Sequence, residues 1–336
     1  MDSITHIAIG ACLGDAIAGK QFGKKAMLWG ALAHSFPDID FLASFWLDTA
    51  SDLLAHRGFT HSILGVVIAS ALLSFVATRV HPHPSFQLGK WFQFFLILIG
   101  LHIFLDAFNN YGVGWFEPFS HRRISFNILY VADPFFSLVP IVAAVVIAFL
   151  PTNSSKRSNW IKLSMITASM YLVFAIWNKY RINSKVMAAF EKEHIPHDHY
   201  FTTPAPLQNW LWYTVAGDEK GFYVAFTSLL DSSDRINWNY YPKQDSLLTP
   251  FRNTEDLQHL IRFSQGFYTV EKRKDTVLFN DLRFGQVFGW QQPKAPFVFY
   301  FYLTHPSENN MIVQRGRFKG WTWENFVFFV DRVRGH

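Results

Sequence analysis

The chain has 336 residues, of which 50% are hydrophobic, 18% aromatic and 16% charged. An average soluble protein carries about 25% charged residues, so this chain is poor in charge, and its 36 phenylalanines and 12 tryptophans exclude an intrinsically disordered protein. The single cysteine, Cys12, excludes an intramolecular disulfide. The composition leaves a partly membrane-embedded protein or a very apolar globular one.

The excess of positive charge lies in the first half of the chain. Residues 1–186 hold 14 Lys and Arg against 9 Asp and Glu, whereas residues 187–336 hold 16 of each. A basic excess within an apolar region is typical of a helical bundle whose short loops face anionic lipid head groups. Carboxylates are rare in that region, so they are the first candidates for a functional role.

Two short helices are predicted at the start, over residues 5–18 and 25–34, and both are rich in Gly and Ala, which favours close helix packing. Four longer apolar stretches follow as candidate membrane-spanning helices. They cover residues 62–78, 91–105, 134–155 and 160–177. A bilayer core requires about 20 apolar residues, so the first two are at the short end of the range. Helices buried in a large soluble core are the alternative interpretation.

After residue 177 the composition changes. From about residue 207, short aromatic and β-branched runs separated by turn residues predict a small antiparallel β domain that ends with a short helix near residues 323–333. The predicted fold class is mainly α: a membrane-embedded bundle of four candidate spanning helices and two short packed helices, followed by a small β-rich C-terminal domain. The predicted domains are residues 1–186, which carry the site, and residues 187–336.

Five clusters of histidine and aspartate lie in the first 133 residues. They are Asp2-x-x-Thr5-His6, His34-Ser35-Phe36-Pro37-Asp38-Ile39-Asp40, His56-Arg57-Gly58-Phe59-Thr60-His61-Ser62, His102-Ile103-Phe104-Leu105-Asp106 and Asp133-Pro134. His102 and Asp106 are four residues apart on a predicted helix, so both side chains lie on one face. Gly58 allows a tight turn, so that the imidazoles of His56 and His61 can converge.

The predicted topology brings these clusters to one face of the membrane. The helix that starts at Ser62 and the helix that ends at Asp106 run antiparallel, so the flanking histidines meet at the same end, and Asp133 returns to it. Imidazoles and carboxylates gathered at one end of a bundle suit a divalent cation such as Zn²⁺ or Mn²⁺. Taken singly, each residue can equally be a packing, capping or ion-pairing group.

These motifs resemble those of the YdjM family, with Gly58-Phe59-Thr60-His61-Ser62 as the most specific element and a similarity over about residues 1–180. The family is one of membrane-bound, metal-dependent hydrolases, also described as LexA-binding, inner-membrane-associated hydrolases. It is grouped with the zinc-dependent phospholipase C and single-strand nuclease enzymes, which hold several zinc ions among His and Asp ligands. The resemblance implies an integral protein of the bacterial inner membrane. The metal ligands it implies are His34, Asp38, His56, His61, His102 and Asp106, with His6, Asp40 and Asp133 as further candidates.

The predicted cofactor is one or two divalent ions, Zn²⁺ first, with Mn²⁺ or Fe²⁺ as alternatives because mixed His and Asp sets accept all three. Such an ion lowers the pKa of water towards about 7. Asp40 or Asp133, where not fully used as a ligand, is the predicted general base. Arg57, or the pair Arg122 and Arg123, is predicted to neutralise an anionic substrate group; the pair can equally be a membrane-anchoring cluster.

The predicted function is a metal-dependent hydrolase that acts at the membrane surface on a phosphoester or lipid-linked substrate, with membrane lipid and a small-molecule or lipid substrate as partners. An ion-handling membrane protein and a non-catalytic scaffold with a structural metal site are the alternatives. The ionisable groups lie at helix ends rather than midpoints, which favours a surface site over a transport path. The charge-balanced C-terminal half has no basic stripe, so no nucleic-acid partner is expected.

Overall fold

The structure is a computed structural model and describes residues 1–309 and 320–335. Its contacts divide the chain into two compact units. Unit 1 comprises Met1–Ala43 and Ala55–Ala175, and unit 2 comprises Ser44–Leu54 and Ile176–His336. The predicted boundary at residue 186 lies in the same long helix as this division, and the assignment of residues 44–54 to the second unit has no signal in the sequence.

The helices follow one another along the chain with strands in the second half only. In chain order they are α1 (Ser3–Phe22), α2 (Lys24–Ser35), α3 (Thr49–Ala55), α4 (Ile63–Val80), α5 (Leu88–Asp106), α6 (Pro134–Phe149), α7 (Lys156–Glu193), α8 (Glu255–Phe263) and α9 (Trp323–Val333). Short 3-10 helices cover Phe36–Phe45, Phe59–His61, Asp245–Phe251 and Pro306–Glu308.

Within residues 1–309 and 320–335, three helices are long and apolar enough to cross a membrane: α4, α5 and α7. The prediction of four spans is therefore not confirmed. The remaining stretch forms α6, which has 16 residues and ends at Phe149. A helix of that length is about 24 Å long, whereas a bilayer core is about 30 Å thick. Pro151 accounts for the early end, because the residue before a proline is disfavoured in a helix.

The centre of unit 1 is helix α5. Its aromatic and aliphatic side chains are buried against small residues of the neighbouring helices, a pattern that lets a bulky helix lie close to several others. The buried residues of α5 are Trp91, Phe94, Phe95, Leu98, Ile99 and Ile103, and the small residues around them include Ala18, Ala26, Ala33, Ala69 and Ala77.

Helices α1 and α2 pack with their backbones in close contact, as the Gly- and Ala-rich sequence predicts. A Cβ atom on Gly30 would lie 2.1 Å from the carbonyl oxygen of Gly10, and one on Gly10 would lie 2.5 Å from the carbonyl oxygen of Gly30. Only glycine fits at these two positions, because real Cβ atoms do not approach other atoms so closely. The contact brings His6 and His34 together, with ring centroids 5.1 Å apart.

Unit 2 contains two antiparallel sheets. The first has the order β1 (His199–Pro204), β2 (Leu211–Gly217), β3 (Gly221–Ser228), β4 (Asn239–Pro242), and the second has the order β5 (Tyr268–Arg273), β6 (Thr276–Gln286), β7 (Phe297–Tyr302). The aromatic runs predicted as strands form β2, β3, β6 and β7, and the predicted short terminal helix is α9. The β-rich C-terminal region is thus confirmed.

The first sheet of unit 2 is covered by the end of α7. Ile182, Val186 and Phe190 of that helix belong to one buried cluster with Trp212 and Ala216 of β2. The segment Ser44–Leu54 joins unit 2 through hydrogen bonds as well, because Thr49 Oγ1 donates to the carbonyl oxygen of Asn309 at 2.8 Å.

Candidate metal centre

Two groups of histidine and aspartate in unit 1 are spaced so that each can hold a metal ion, within the part of the chain that the structure describes. They are His6, His34 and His102, and Asp38, His61, His102 and Asp106. His102 belongs to both groups. In each group, the candidate ligand atoms all lie within 4.8 Å of one another.

Five of the six distances between candidate ligand atoms in the four-residue group lie between 3.1 and 3.6 Å. His61 Nε2 and His102 Nε2 are 3.1 Å apart, and each lies 3.6 Å from Asp38 Oδ1. Asp106 Oδ2 is 3.5 Å from His61 Nε2 and 3.6 Å from His102 Nε2. A tetrahedral ion with bonds of about 2.0–2.2 Å holds its ligands about 3.3–3.6 Å apart. These five distances are compatible with a four-coordinate site, and the sixth pair, Asp38 and Asp106, lies within 4.8 Å.

Hydrogen bonds at Nδ1 direct three imidazoles toward the cluster. His34 Nδ1 donates to the carbonyl oxygen of Leu98 at 2.7 Å, and His102 Nδ1 donates to the carbonyl oxygen of His34. His61 Nδ1 lies 3.2 Å from Asp40 Oδ2. A neutral imidazole that donates at Nδ1 has its lone pair at Nε2, and metal-binding histidines are oriented in this way.

Among the residues that the structure describes, three buried atoms of the cluster make no hydrogen bond: His6 Nδ1, His34 Nε2 and Asp106 Oδ2. Of these, Asp106 Oδ2 has an ion-pair partner, Arg57 Nε at 3.1 Å, and the two imidazole nitrogens are left without one. A buried polar atom left without a hydrogen bond costs about 1–3 kcal/mol, and a charged one costs more. A divalent cation is a partner that imidazole nitrogen and carboxylate oxygen can share. The residues present therefore fit a metal ion, as the sequence predicts, with ligands from α1, α2, α5 and the two 3-10 segments.

The protonation states suit this role. Burial lowers the pKa of His34 to about 4 and holds the pKa of His6 well below its ordinary value, so both imidazoles stay neutral, the form that binds a metal. Burial tends to raise the pKa of Asp38, but its interactions with the neighbouring imidazoles of His102 and His61 hold it well below its usual range. Asp38 is therefore an ionised carboxylate.

Asp40 lies outside both groups and holds the turn that carries His61. Its Oδ2 accepts hydrogen bonds from the backbone N of Arg57 at 2.8 Å and from Thr60 Oγ1 at 3.1 Å, and its Oδ1 lies 3.0 Å from His56 Nδ1. His56, predicted as a ligand, belongs to neither group, and its side chain is 38% exposed. The carboxylate thus orients one cluster histidine and one partly exposed histidine.

The Gly58-Phe59-Thr60-His61-Ser62 motif forms the turn that leads into α4. Ser62 caps α4, since its Oγ accepts a hydrogen bond from Gly65 N at 2.9 Å, which places His61 just before a spanning helix. The residue with positive φ in this turn is Arg57, at 59°, whereas Gly58 has a φ of −86°. The tight turn is present as predicted, but its left-handed conformation does not come from the glycine.

The three arginines considered for substrate binding differ in environment. Arg57 is buried, with Nε 3.1 Å from Asp106 Oδ2, and its Nη1 donates to Asn109 Oδ1 at 2.7 Å. Arg123 is half-buried and donates to the carbonyl oxygen of His56 at 2.8 Å. Arg122 is exposed. Arg57 therefore balances charge inside the cluster, and its role towards a substrate stays a prediction.

The amino group of Met1 is a part of the cluster that spacing patterns do not reveal. Its nitrogen contacts Asp106 Oδ1, and His6 Nε2 lies 3.1 Å from the same oxygen. Burial lowers the pKa of this amino group well below its ordinary value. Asp106 therefore faces the four-residue group with Oδ2 and His6 with Oδ1.

Asp133, predicted as a general base or ligand, caps α6. Its Oδ1 accepts a hydrogen bond from Phe135 N at 3.0 Å, and Tyr171 OH donates to its Oδ2 at 2.8 Å. Burial raises the pKa of Asp133 to about 6, although these hydrogen bonds oppose the shift. Its catalytic role stays a prediction.

We expect Asp133 to make the stability of the protein depend on pH between about pH 4 and about pH 6. The folded-state pKa is about 6 against an ordinary value of 3.8. In that window the folded state binds more protons than the unfolded state, so the free energy of unfolding contributed by this group falls as the pH rises. The neutral Asp133→Asn variant should lack this slope.

The measurement is thermal unfolding of both proteins in detergent across this range. Histidines with lowered pKa values contribute to the pH dependence of stability in both proteins, so their contribution cancels when the two stabilities are subtracted. The stability of the wild type relative to Asp133→Asn should fall up to about pH 6 and then stay constant; a difference that does not change with pH would contradict the assignment.

The cluster lies at one end of two spanning helices, because α4 begins two residues after His61 and α5 ends at Asp106. Fold and site together define a helical membrane protein with a buried histidine–aspartate cluster that can hold a metal ion. The chain belongs to the YdjM inner membrane protein family, which matches residues 1–182, and it is an integral inner-membrane protein.

Two relatives extend this result. The chain is 26% identical to the uncharacterized protein YfhP of Bacillus subtilis (strain 168) over 336 aligned residues, 96% of this chain and 95% of that protein. It is 28% identical to the inner membrane protein YbcI of Escherichia coli (strain K12) over 124 residues, 36% of this chain and 69% of that protein. No solved structure matches the chain significantly. The alignment with the Bacillus protein includes the C-terminal unit as well as the helical one.

Proposed function

We propose that this chain is a metal-dependent hydrolase that acts at the membrane surface on a lipid-linked phosphoester. The observation that carries the proposal is the close grouping of His61 Nε2, His102 Nε2, Asp38 Oδ1 and Asp106 Oδ2, in which five of the six distances are 3.1–3.6 Å. Its position at the end of α4 and α5 supports a site at the level of the lipid head groups.

The proposed ion is Zn²⁺, because imidazole nitrogens and carboxylate oxygens are typical zinc ligands; Mn²⁺ and Fe²⁺ are the alternatives. His6 and His34, of the three-histidine group, would hold a second ion; Asp106 Oδ1 lies 3.1 Å from His6 Nε2. When bound, such an ion polarises water and phosphoester oxygens. Asp38 is the most exposed of the four ligands, at 24%, so we place the entrance for substrate on its side.

The chain's own residues supply proton transfer and charge balance. Both oxygens of Asp40 are occupied by hydrogen bonds, so we assign it a positioning role and assign proton acceptance to the partly exposed His56 that it holds at 3.0 Å. An imidazole oriented by a carboxylate is an effective general base near neutral pH. Arg57 forms a buried ion pair with Asp106 inside the cluster, with Nε 3.1 Å from Oδ2.

The test is hydrolysis of phospholipid vesicles by purified protein loaded with Zn²⁺ or Mn²⁺, read as release of the soluble phosphorylated head group. We expect His102→Ala to abolish turnover, and Asp40→Asn to lower it about 10–100-fold, the range seen when a hydrogen-bond partner of a metal-binding histidine is lost. His121→Ala is the matched control, because that histidine is 61% exposed and pairs with Glu117. Turnover that His102→Ala retains would refute the proposal.

A structural metal site is the second candidate function. The observation that favours it is that the four-residue group already supplies four protein ligands, and structural zinc sites are closed in this way. In that case the wild type would bind metal and lose stability on chelation, but no phosphoester would be turned over. The protein would then be a membrane scaffold with a structural metal site.

A further inference from the structure

A groove between two spanning helices runs toward the metal cluster. It has a volume of about 350 Å³ and is lined by Ile63 and Val67 of α4, Leu96, Gly100 and Phe104 of α5, and Trp115. Its lining is almost wholly apolar, and nothing lies within 4 Å of a Cβ atom built on Gly100.

The groove occupies the part of each helix nearest the cluster. On α4 it begins at the first helical residue, Ile63, and on α5 it ends at Phe104, two residues before Asp106. From Leu96 to Phe104 it extends about 12 Å along the helix axis. One leaflet of hydrocarbon is about 15 Å thick, half of a bilayer core. The groove therefore matches the depth of the leaflet on the side of the cluster.

The end of the groove is fixed to the cluster region by Trp115. Its Nε1 donates to the carbonyl oxygen of Ile103 at 3.1 Å, and its carbonyl oxygen accepts from Ile63 N at 2.9 Å. Ile103 directly follows the ligand His102, and Ile63 lies two residues after the ligand His61. Tryptophan is enriched at the boundary between hydrocarbon and head groups, so the end of the groove at Trp115 lies at head-group level.

We propose that this groove binds an acyl chain of a phospholipid from the leaflet that faces the cluster, and so holds the head group beside the metal site. The occupant is a membrane lipid because the groove opens between two spanning helices at hydrocarbon depth. The substrate class follows when this groove is combined with the proposed function, on which this step rests. The substrate of the hydrolase is then a phosphoester that carries an acyl chain. Soluble phosphoesters lack the group that the groove holds.

The test uses the full chain in vesicles of phosphatidylethanolamine and phosphatidylglycerol that contain a phospholipid with a photoreactive diazirine in its acyl chain. We expect crosslinks concentrated on α4 and α5 at the groove residues. Gly100→Leu should remove them by filling the groove, and Val67→Phe should do the same from the opposite wall. Gly89→Leu is the matched control, since Gly89 lies on the same helix, outside the groove, with equally open space.

Crosslinking does not require catalysis, so the two proposals fail separately. His102→Ala should keep the crosslinks while losing turnover, and Gly100→Leu should keep its metal while losing turnover on vesicles. Crosslinks spread evenly over all lipid-facing positions, or unchanged in both Gly100→Leu and Val67→Phe, would overturn the groove as a lipid site. Crosslinks lost in these variants, in a protein that hydrolyses nothing, would support the groove and refute only the hydrolase.

Discussion

The wild type is expected to purify with a bound transition metal and the His102→Ala variant without it. His102 is the residue shared by both groups of candidate ligands, so its loss leaves neither group complete. Removal of an outer hydrogen-bond partner of a ligand lowers the metal affinity about 10–100-fold. Removal of a direct ligand should lower it further. Elemental analysis of detergent-purified protein measures the result.

Two further variants locate the ion. His61→Ala damages only the four-residue group and His6→Ala only the three-histidine group. The ion of the four-residue group should therefore be lost in the first variant and kept in the second, and a second ion should be lost in His6→Ala. His121→Ala, an exposed histidine, should keep the wild-type metal content. A wild type that holds no metal after supplementation, or a His102→Ala variant with full metal content, would contradict the metal site.

The Gly30→Ala variant is expected to lose both stability and metal. The added Cβ would lie 2.1 Å from the carbonyl oxygen of Gly10, and backbone cannot move aside as a flexible side chain does. Overpacking of this kind costs about 1–3 kcal/mol, and more where backbone must shift. Separating α1 from α2 also moves His6 away from His34, which weakens the three-histidine group.

Thermal unfolding in detergent and elemental analysis together test this expectation. Gly89→Ala is the matched control: it has open space around the new methyl group, and alanine in place of glycine favours a helix by up to about 1 kcal/mol. The explanation would be wrong if Gly30→Ala unfolded at the same temperature as Gly89→Ala with an unchanged metal content.

Much of the helical unit could be predicted from the sequence because its signals are local. The four-residue spacing of His102 and Asp106, the apolar run before them and the antiparallel order of two spanning helices were sufficient to predict a shared site. The Gly-rich composition around Gly10 and Gly30 likewise predicted a close helix pair.

Other features depend on contacts between residues distant in sequence. Asp40 and His56 are of the same residue types as the candidate metal ligands. Only the folded turn shows that they form a hydrogen bond with each other and belong to neither group of candidate ligands. The contact of Met1 with Asp106 spans more than a hundred positions. Strands β1, β4 and β5 were missed because they are short or contain proline and charge, and their pairing partners stabilise them.

The segment Ser44–Leu54 has a consequence for the order in which the protein is assembled. It lies between Asp40 and His56 in sequence, yet it packs with unit 2, where Ser51 Oγ lies 3.2 Å from His259 Nδ1 and Thr49 bonds to Asn309. A ribosome adds about 5–20 residues per second, so more than two hundred residues must follow before these bonds can form. The hydrogen bonds that hold this segment in unit 2 therefore form late, after α4 and α5 have been synthesised.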